Sequence, residues 1–124
     1  MCKKGTTPGA CQCYPCLIAV PTDVGGVSWA SKNVIVWRWM PCAGWYNVYK
    51  ITTPFLSDSD QNGVADTYGS CSQPDVSENT APDSMDPPAG SASFYMVTGE
   101  STVGEGTMGW ASNNEERPNT QSCP

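Results

Sequence analysis

The stretch NVIVWRWMPCAGWYNVYKI, residues 33–51, decides the fold of this chain. It predicts two short strands that meet at a turn over residues 40–44. Apolar side chains alternate along both strands, at Ile35, Trp37, Trp39, Tyr46 and Val48. A period of two places alternate side chains on one face of a sheet, and β-branched and aromatic residues favour such half-buried surfaces. We therefore expect an all-β protein.

The rest of the chain is rich in turn-forming residues. The 124 residues include 12 glycines and 11 prolines, a composition typical of short strands joined by many turns. We predict a strand around Val27 and Trp29, and strands over residues 93–112 that meet at the turn GEG (104–106). The apolar run LIAVP (17–21) predicts a short edge or linker strand. Residues 72–92 have hardly any apolar periodicity, which predicts a long surface loop with room for one short strand around Val76.

Charge is distributed unevenly along the sequence. The net charge is −6, and eleven of the twelve acidic residues lie between Asp58 and Glu116. No basic residue occurs between Lys50 and Arg117. An anionic surface repels phosphate backbones, so we expect no nucleic-acid partner. The same field attracts cations, and calcium is the obvious candidate.

The chain contains no histidine. Catalysis by Ser-His-Asp or Cys-His groups, an HExxH zinc site and haem attachment through CxxCH are therefore excluded. No pair of carboxylates stands out as an acid–base pair, so we expect a non-enzymatic protein without haem. No apolar run approaches the roughly 18 residues of a membrane-spanning helix, so we expect no transmembrane segment.

Cysteines are frequent for a chain of this length, with seven in total. In a loop-rich domain with a thin core they predict disulfides and an oxidising, extracellular or cell-surface location. An odd count leaves one thiol free or paired with another chain. The pairing of five of them is left open by the sequence: Cys2, Cys11, Cys13, Cys16 and Cys42.

The first four cysteines lie in an N-terminal arm, residues 1–23. Its C-x-C-x-x-C cluster allows a second interpretation, a zinc or iron–sulfur site with four thiolate ligands. The spacing matches no zinc signature well. Disulfides within the arm, to Cys42 or to a neighbouring subunit are the interpretation we favour.

The segment LSDSDQNGVADTYGSC, residues 56–71, has the ligand spacing of a calcium loop. Oxygen ligands at positions 1, 3, 5, 7 and 9 would come from Asp58, Asp60, Asn62, the Val64 carbonyl and Asp66. Gly63 occupies position 6, where the backbone must turn sharply. Position 12 of an EF-hand would be glutamate, but here it is Gly69, so this is not an EF-hand. The alternative is a solvated acidic turn whose Asp and Asn side chains cap the backbone.

Two resemblances to known families follow from these motifs. The run D-x-D-x-N-G-x-x-D shortly before a cysteine resembles the calcium repeats of thrombospondin type 3 modules. The run W-x-W-x-P at 37–41, W-Y-N-V-Y at 45–49 and Y-x-V-x-G-x-S-x-x-G-x-G at 95–106 together resemble a fibronectin type III domain. The second resemblance covers about residues 24–124, and more narrowly it is similar to divergent copies in secreted bacterial proteins.

The fibronectin type III resemblance implies an antiparallel, immunoglobulin-like β-sandwich of about seven strands with Greek-key connections. It also implies that Trp39, shortly before Pro41, is a core tryptophan and that Tyr46 and Val48 lie on the next strand. The calcium loop at 56–71 would then be an insertion between the sheets' edges. Most members lack disulfides, so the Cys71–Cys123 pair that we predict departs from the family pattern.

The family serves adhesion, spacing and display, which sets the expected function. We expect a non-enzymatic extracellular module, stabilised by Ca²⁺ and disulfides, that contacts a protein partner or surface. One alternative is a subunit of a secreted bacterial filament joined through its N-terminal arm. Another is a small metalloprotein with cysteine ligands. A sugar-binding platform is a further alternative, but aromatic side chains in a small sandwich more often pack or cover edges. Its rings would be Trp29, Trp45, Tyr49 and Trp110.

Overall fold

The computed structural model describes residues 20–124, and within them the chain is all-β, with six strands and no helix. The strands are β1 (Ser28–Ser31), β2 (Val34–Val36), β3 (Trp45–Thr53), β4 (Ser70–Val76), β5 (Thr80–Pro82) and β6 (Ala92–Glu100). They form two antiparallel sheets, ordered β1–β2–β5 and β4–β3–β6. Residues 20–124 contain no helix that could cross a membrane.

Several predictions from the N-terminal arm lie outside the described residues. They concern Cys2, Cys11, Cys13 and Cys16, the cysteine-ligated metal site and the filament contact. The predicted strand at 17–21 also falls largely outside, and residues 20–21 are not in a strand.

One apolar cluster fills the space between the two sheets, as in a β-sandwich. Its buried members are Ile35, Trp37, Tyr46, Val48, Ala81 and Val97. Tyr46 is fully buried, and its hydroxyl accepts a hydrogen bond of 2.8 Å from the Met40 N–H. The Trp37 and Tyr46 rings meet edge to face at 5.5 Å, a favourable aromatic geometry. The predicted alternation along β3 and β6 is confirmed, because Val48 and Val97 pair on this buried face.

The two strands predicted in residues 33–51 do not pair with each other but belong to different sheets. The expectation that Trp39 fills the core is wrong: this side chain is 62% exposed, and Trp37 is buried instead. The reason is that β2 ends at Val36. Beyond it, the Trp37 N–H donates to the Asn79 carbonyl and the Arg38 N–H to the Gly25 carbonyl, but neither residue belongs to a regular strand. Alternation defines a face only within a strand.

The prediction of a loop over residues 72–92 is also partly wrong, because most of β4 and all of β5 lie there. β4 is an edge strand that pairs with β3 through its backbone, while its side chains are mostly polar and exposed. A search for alternating apolar residues cannot detect a strand of this kind, because its side chains carry no such pattern. Pro74 in β4 and Pro82 in β5 limit further pairing at these edges.

The predicted last strand, residues 107–112, is not observed. This segment makes only an isolated bridge between Trp110 and Glu116. Gly109 there has a φ of 90°, which interrupts an extended conformation. Residues 107–123 form an irregular tail that runs across the second sheet.

The tail and the 56–71 loop cover the outer face of the β4–β3–β6 sheet. A second apolar cluster lies beneath them, formed by Tyr49, Val64, Ala65, Tyr68 and Met108, with Met96 packed against it. Tyr49 and Met96 are opposite each other on β3 and β6. Both faces of this sheet are therefore covered, one by the other sheet and one by irregular chain.

Candidate metal site

The candidate metal site lies in the connection from β3 to β4. Carboxylate oxygens of Asp58, Asp60 and Asp66 lie within 4.8 Å of one another. Asp60 and Asp66 line a cavity of about 320 Å³ together with Asn62 and Val64. The loop thus brings together the side chains predicted for positions 1, 3 and 9, and it places positions 5 and 7 on the same cavity.

Hydrogen bonds within the loop fix its curvature. The Asp58 carboxylate accepts the N–H groups of Asn62 at 3.1 Å and Gly63 at 2.9 Å. The Asp66 carboxylate accepts the Ser59 N–H at 3.1 Å. Gly63 has a φ of 86°, and a Cβ there would lie 2.7 Å from Nδ2 of Asn113, so this turn requires glycine.

These contacts also set the ionisation of Asp58. Partial burial by itself raises the pKa of Asp58, but the N–H groups of Gly63 and Asn62 outweigh it. The pKa of this carboxyl therefore lies below its ordinary value of 3.8. Asp58 is anionic at neutral pH, as a Ca²⁺ ligand must be.

The C-terminal tail packs directly on this loop. The Asn113 Nδ2 donates to the Asn62 carbonyl at 2.5 Å. The Thr67 and Thr120 hydroxyls are 2.8 Å apart, and the Arg117 guanidinium lies over the Tyr68 ring, 5.8 Å from its centre. Two tail residues, Glu115 and Glu116, line the same cavity as the candidate ligands Asp60 and Asp66. No local sequence pattern indicates this docking, since the hydrogen-bonded partners are 51 and 53 residues apart.

A disulfide joins the end of the loop to the end of the tail. Cys71 and Cys123 are bonded across a separation of 52 residues, in agreement with the predicted pair. The Cys123 N–H donates to the Tyr49 hydroxyl at 2.9 Å. Cys42 is disulfide-bonded as well.

A polar network centred on Glu105 lies beside the second apolar cluster. Its carboxylate accepts hydrogen bonds from the Tyr49 hydroxyl at 2.5 Å, from Asn47 Nδ2 at 3.1 Å and from the Thr98 hydroxyl. Asn47, Tyr49 and Thr98 are fully buried. Burial, and then the hydrogen bond to Glu105, raise the pKa of Tyr49, so this phenol stays neutral and donates. No sequence pattern indicated this network.

A buried ion pair links the two sheets on the opposite face. Lys50 Nζ of β3 lies 2.7 Å from the carboxylate of Asp83, which follows β5, and the Tyr95 hydroxyl donates to the same oxygen at 2.5 Å. The Lys50 and Asp83 side chains are 19% and 8% exposed. Burial alone raises the pKa of Asp83, but the hydrogen bonds from Lys50 and Tyr95 outweigh it and bring that pKa below 3.8.

The lowered pKa of Asp83 predicts an acid-dependent loss of stability. As the pH falls, the unfolded chain protonates this carboxyl first, so the stabilisation is complete above pH 3.8 and disappears as the pH falls through the folded pKa. Urea unfolding at a series of pH values should show wild type exceeding the Asp83→Asn variant most above pH 3.8 and least at the acid end. A difference that does not change with pH would contradict this assignment.

The aromatic residues considered for a sugar-binding platform lie in different environments. Tyr49 is fully buried, so its ring has no surface to offer a sugar. Trp29 of β1 packs edge-on against Tyr95 at 5.4 Å. Trp110 lies in the tail, on the cavity that Glu105 and Pro21 also line.

Comparison of the chain with protein-family models, curated proteins and solved structures found no match. The resemblance to fibronectin type III domains therefore stays a prediction from sequence motifs. Cation binding by residues 58–66 likewise stays a prediction.

Proposed function

We propose that this chain is a non-enzymatic extracellular β-sandwich module whose 58–66 loop binds Ca²⁺ and which presents its surface to a protein partner. The observation that carries the proposal is the convergence of three carboxylates, from Asp58, Asp60 and Asp66, to within 4.8 Å. They stand at positions 1, 3 and 9 of a calcium-loop sequence.

Electrostatics favour a cation at this point. Like charges this close repel each other, and they do so more strongly at a protein surface than in bulk water. The Asp58 carboxyl is nevertheless ionised, and a divalent cation between the three groups would turn repulsion into attraction. Capping of the backbone explains the hydrogen bonds of Asp58, but it does not require three carboxylates to face one another.

The available ligands fit a hard cation. Ca²⁺ takes about 6–8 oxygen ligands in flexible geometry. The loop offers four side chains and one carbonyl, from Asp58, Asp60, Asn62, Asp66 and Val64. Water or a tail carboxylate would complete the shell. Mg²⁺ demands a nearly ideal octahedron, which suits this irregular loop less well.

The architecture supports a fibronectin type III-like identity. The sheets contain strands 1, 2 and 5, and strands 4, 3 and 6. Consecutive strands β2 and β3 thus cross from one sheet to the other, as in Greek-key sandwiches. Ion and disulfide would stiffen the irregular chain on one side of such a sandwich, which suits a module that displays a surface.

Titration with Ca²⁺ tests this function. We expect heat of binding in isothermal titration calorimetry and a higher melting temperature with Ca²⁺ than with EDTA. At a free concentration of 100 times the dissociation constant, binding stabilises a protein by about 2.7 kcal/mol. Asp58→Asn should weaken binding, whereas Asp75→Asn changes an exposed carboxyl of β4 outside the loop and should not. A wild-type protein without binding heat or thermal shift would refute the proposal.

A further inference from the structure

The tail is fastened to the candidate metal loop from the middle of the loop to its C-terminal end. Asn113 holds the Asn62 carbonyl near the middle of the loop, and the Cys71–Cys123 bond closes the assembly after its end. The Thr67–Thr120 and Arg117–Tyr68 contacts lie between these two points. The loop is therefore held against the sheet by chain that is distant in sequence.

We propose that the Cys71–Cys123 disulfide controls the affinity of the 58–66 loop for Ca²⁺, with the tail acting as a clamp that preorganises the ligands. This inference rests on the proposed function. A loop that must become ordered on binding loses affinity by the free energy of ordering, and a preorganised loop does not. Met108 stays in the buried apolar cluster, but beyond it the tail contacts the loop through two hydrogen bonds and one ring contact. With the disulfide broken, each of these contacts contributes little.

Asn113 is the positioning residue through which the clamp acts. Its amide holds the carbonyl of Asn62, whose side chain is the proposed ligand at position 5. The peptide from Asn62 to Gly63 also contains the positive-φ turn that brings the ligands on either side together. A tail released from the sheet would leave this peptide without its external partner.

The chemical step is reduction by a dithiol. The S–S bond between Cys71 and Cys123 breaks, each sulfur gains one electron and one proton, and the dithiol closes into a cyclic disulfide. Linkage makes the coupling reciprocal: if the bond raises Ca²⁺ affinity by some factor, bound Ca²⁺ favours the disulfide by the same factor. A tenfold factor corresponds to about 30 mV in the reduction potential of this two-electron couple.

Calorimetric titration with CaCl₂ tests the clamp in three variants. We expect the Cys71→Ser/Cys123→Ser variant to bind at least about tenfold more weakly than wild type, a typical size for coupling between two sites. The Asn113→Ala variant keeps the disulfide and should also bind Ca²⁺ more weakly than wild type. It tests the clamp even if the double variant does not fold. Ile35→Ala is the matched control, since it removes a buried side chain of the other sheet without touching the tail. Its affinity should equal that of wild type at a temperature where it is folded.

The effect of Ca²⁺ on reduction of the disulfide is a second, reciprocal test of the clamp. Equilibration of wild type in dithiol redox buffers should require stronger reducing conditions with Ca²⁺ than with EDTA, as followed by alkylation of Cys71 and Cys123 and peptide mass analysis. Equal Ca²⁺ affinities of wild type and both tail variants would overturn the clamp and leave the proposed function intact. Absence of Ca²⁺ binding to oxidised wild type would overturn both.

Discussion

Replacing Glu105 with alanine should lower the free energy of unfolding by about 3 kcal/mol or more. The change leaves several buried hydrogen-bond donors without an acceptor, and each such donor costs about 1–3 kcal/mol. The Tyr49 and Thr98 hydroxyls both donate to this carboxylate, and both residues are fully buried. The Tyr49 oxygen already accepts hydrogen bonds from Asn119 Nδ2 and the Cys123 N–H. Loss of Glu105 should therefore also loosen the tail.

Glu100→Ala is the matched control for Glu105. This neighbouring carboxylate accepts a hydrogen bond of 2.9 Å from Asn47 Nδ2, and the same amide also donates to Glu105. Its removal leaves Asn47 with an acceptor, so we expect a loss of about 1 kcal/mol. Urea unfolding followed by tryptophan fluorescence measures both variants. Equal losses in the free energy of unfolding would contradict this prediction, because Glu105 would then contribute no more to stability than Glu100 does.

The sequence predicted the fold where the pattern is local. Alternation in β3 and β6 identified the residues that face the sandwich interior, because a strand places every second side chain on one face. The same rule failed at Trp39, which follows the end of β2. A pattern of apolar residues cannot show where backbone pairing stops.

The burial of polar residues on the outer face of the second sheet could not be predicted from the sequence. Asn47, Tyr49 and Thr98 alternate with core residues, which is typical of a solvent-facing side. The tail covers Tyr49, and the Glu105 carboxylate in the segment after β6 accepts hydrogen bonds from all three residues. No short stretch of the sequence indicates that other segments of the chain cover these residues.

The candidate metal loop shows the same difference between local and long-range features of the sequence. Its ligand spacing and its glycine could be read directly, since a tight turn places alternate oxygens together. The contact from Asn113 could not, because it depends on how the tail crosses the sheet. The cysteines at 71 and 123 were the one sequence feature that pointed to this long-range contact.

Removing the Cys71–Cys123 bond should lower the free energy of unfolding by about 4 kcal/mol in the chain-entropy account of a loop of this length. The bond closes a segment of 52 residues, which greatly restricts the unfolded chain. A net stability of about 5–15 kcal/mol is usual for a domain, so this loss is large. Urea unfolding of Cys71→Ser/Cys123→Ser against wild type, both in EDTA, measures it apart from any effect of Ca²⁺.

The urea dependence distinguishes where this disulfide acts. If it mainly restricts the unfolded chain, the variant unfolds to a more expanded ensemble, and its m-value should exceed that of wild type. If it instead acts by holding the tail on the folded sheet, the m-value should fall, because the folded variant already exposes surface around Tyr49 and Met108. A loss below about 1 kcal/mol with an unchanged m-value would contradict both, since neither the closed loop nor the tail contacts would then contribute to stability.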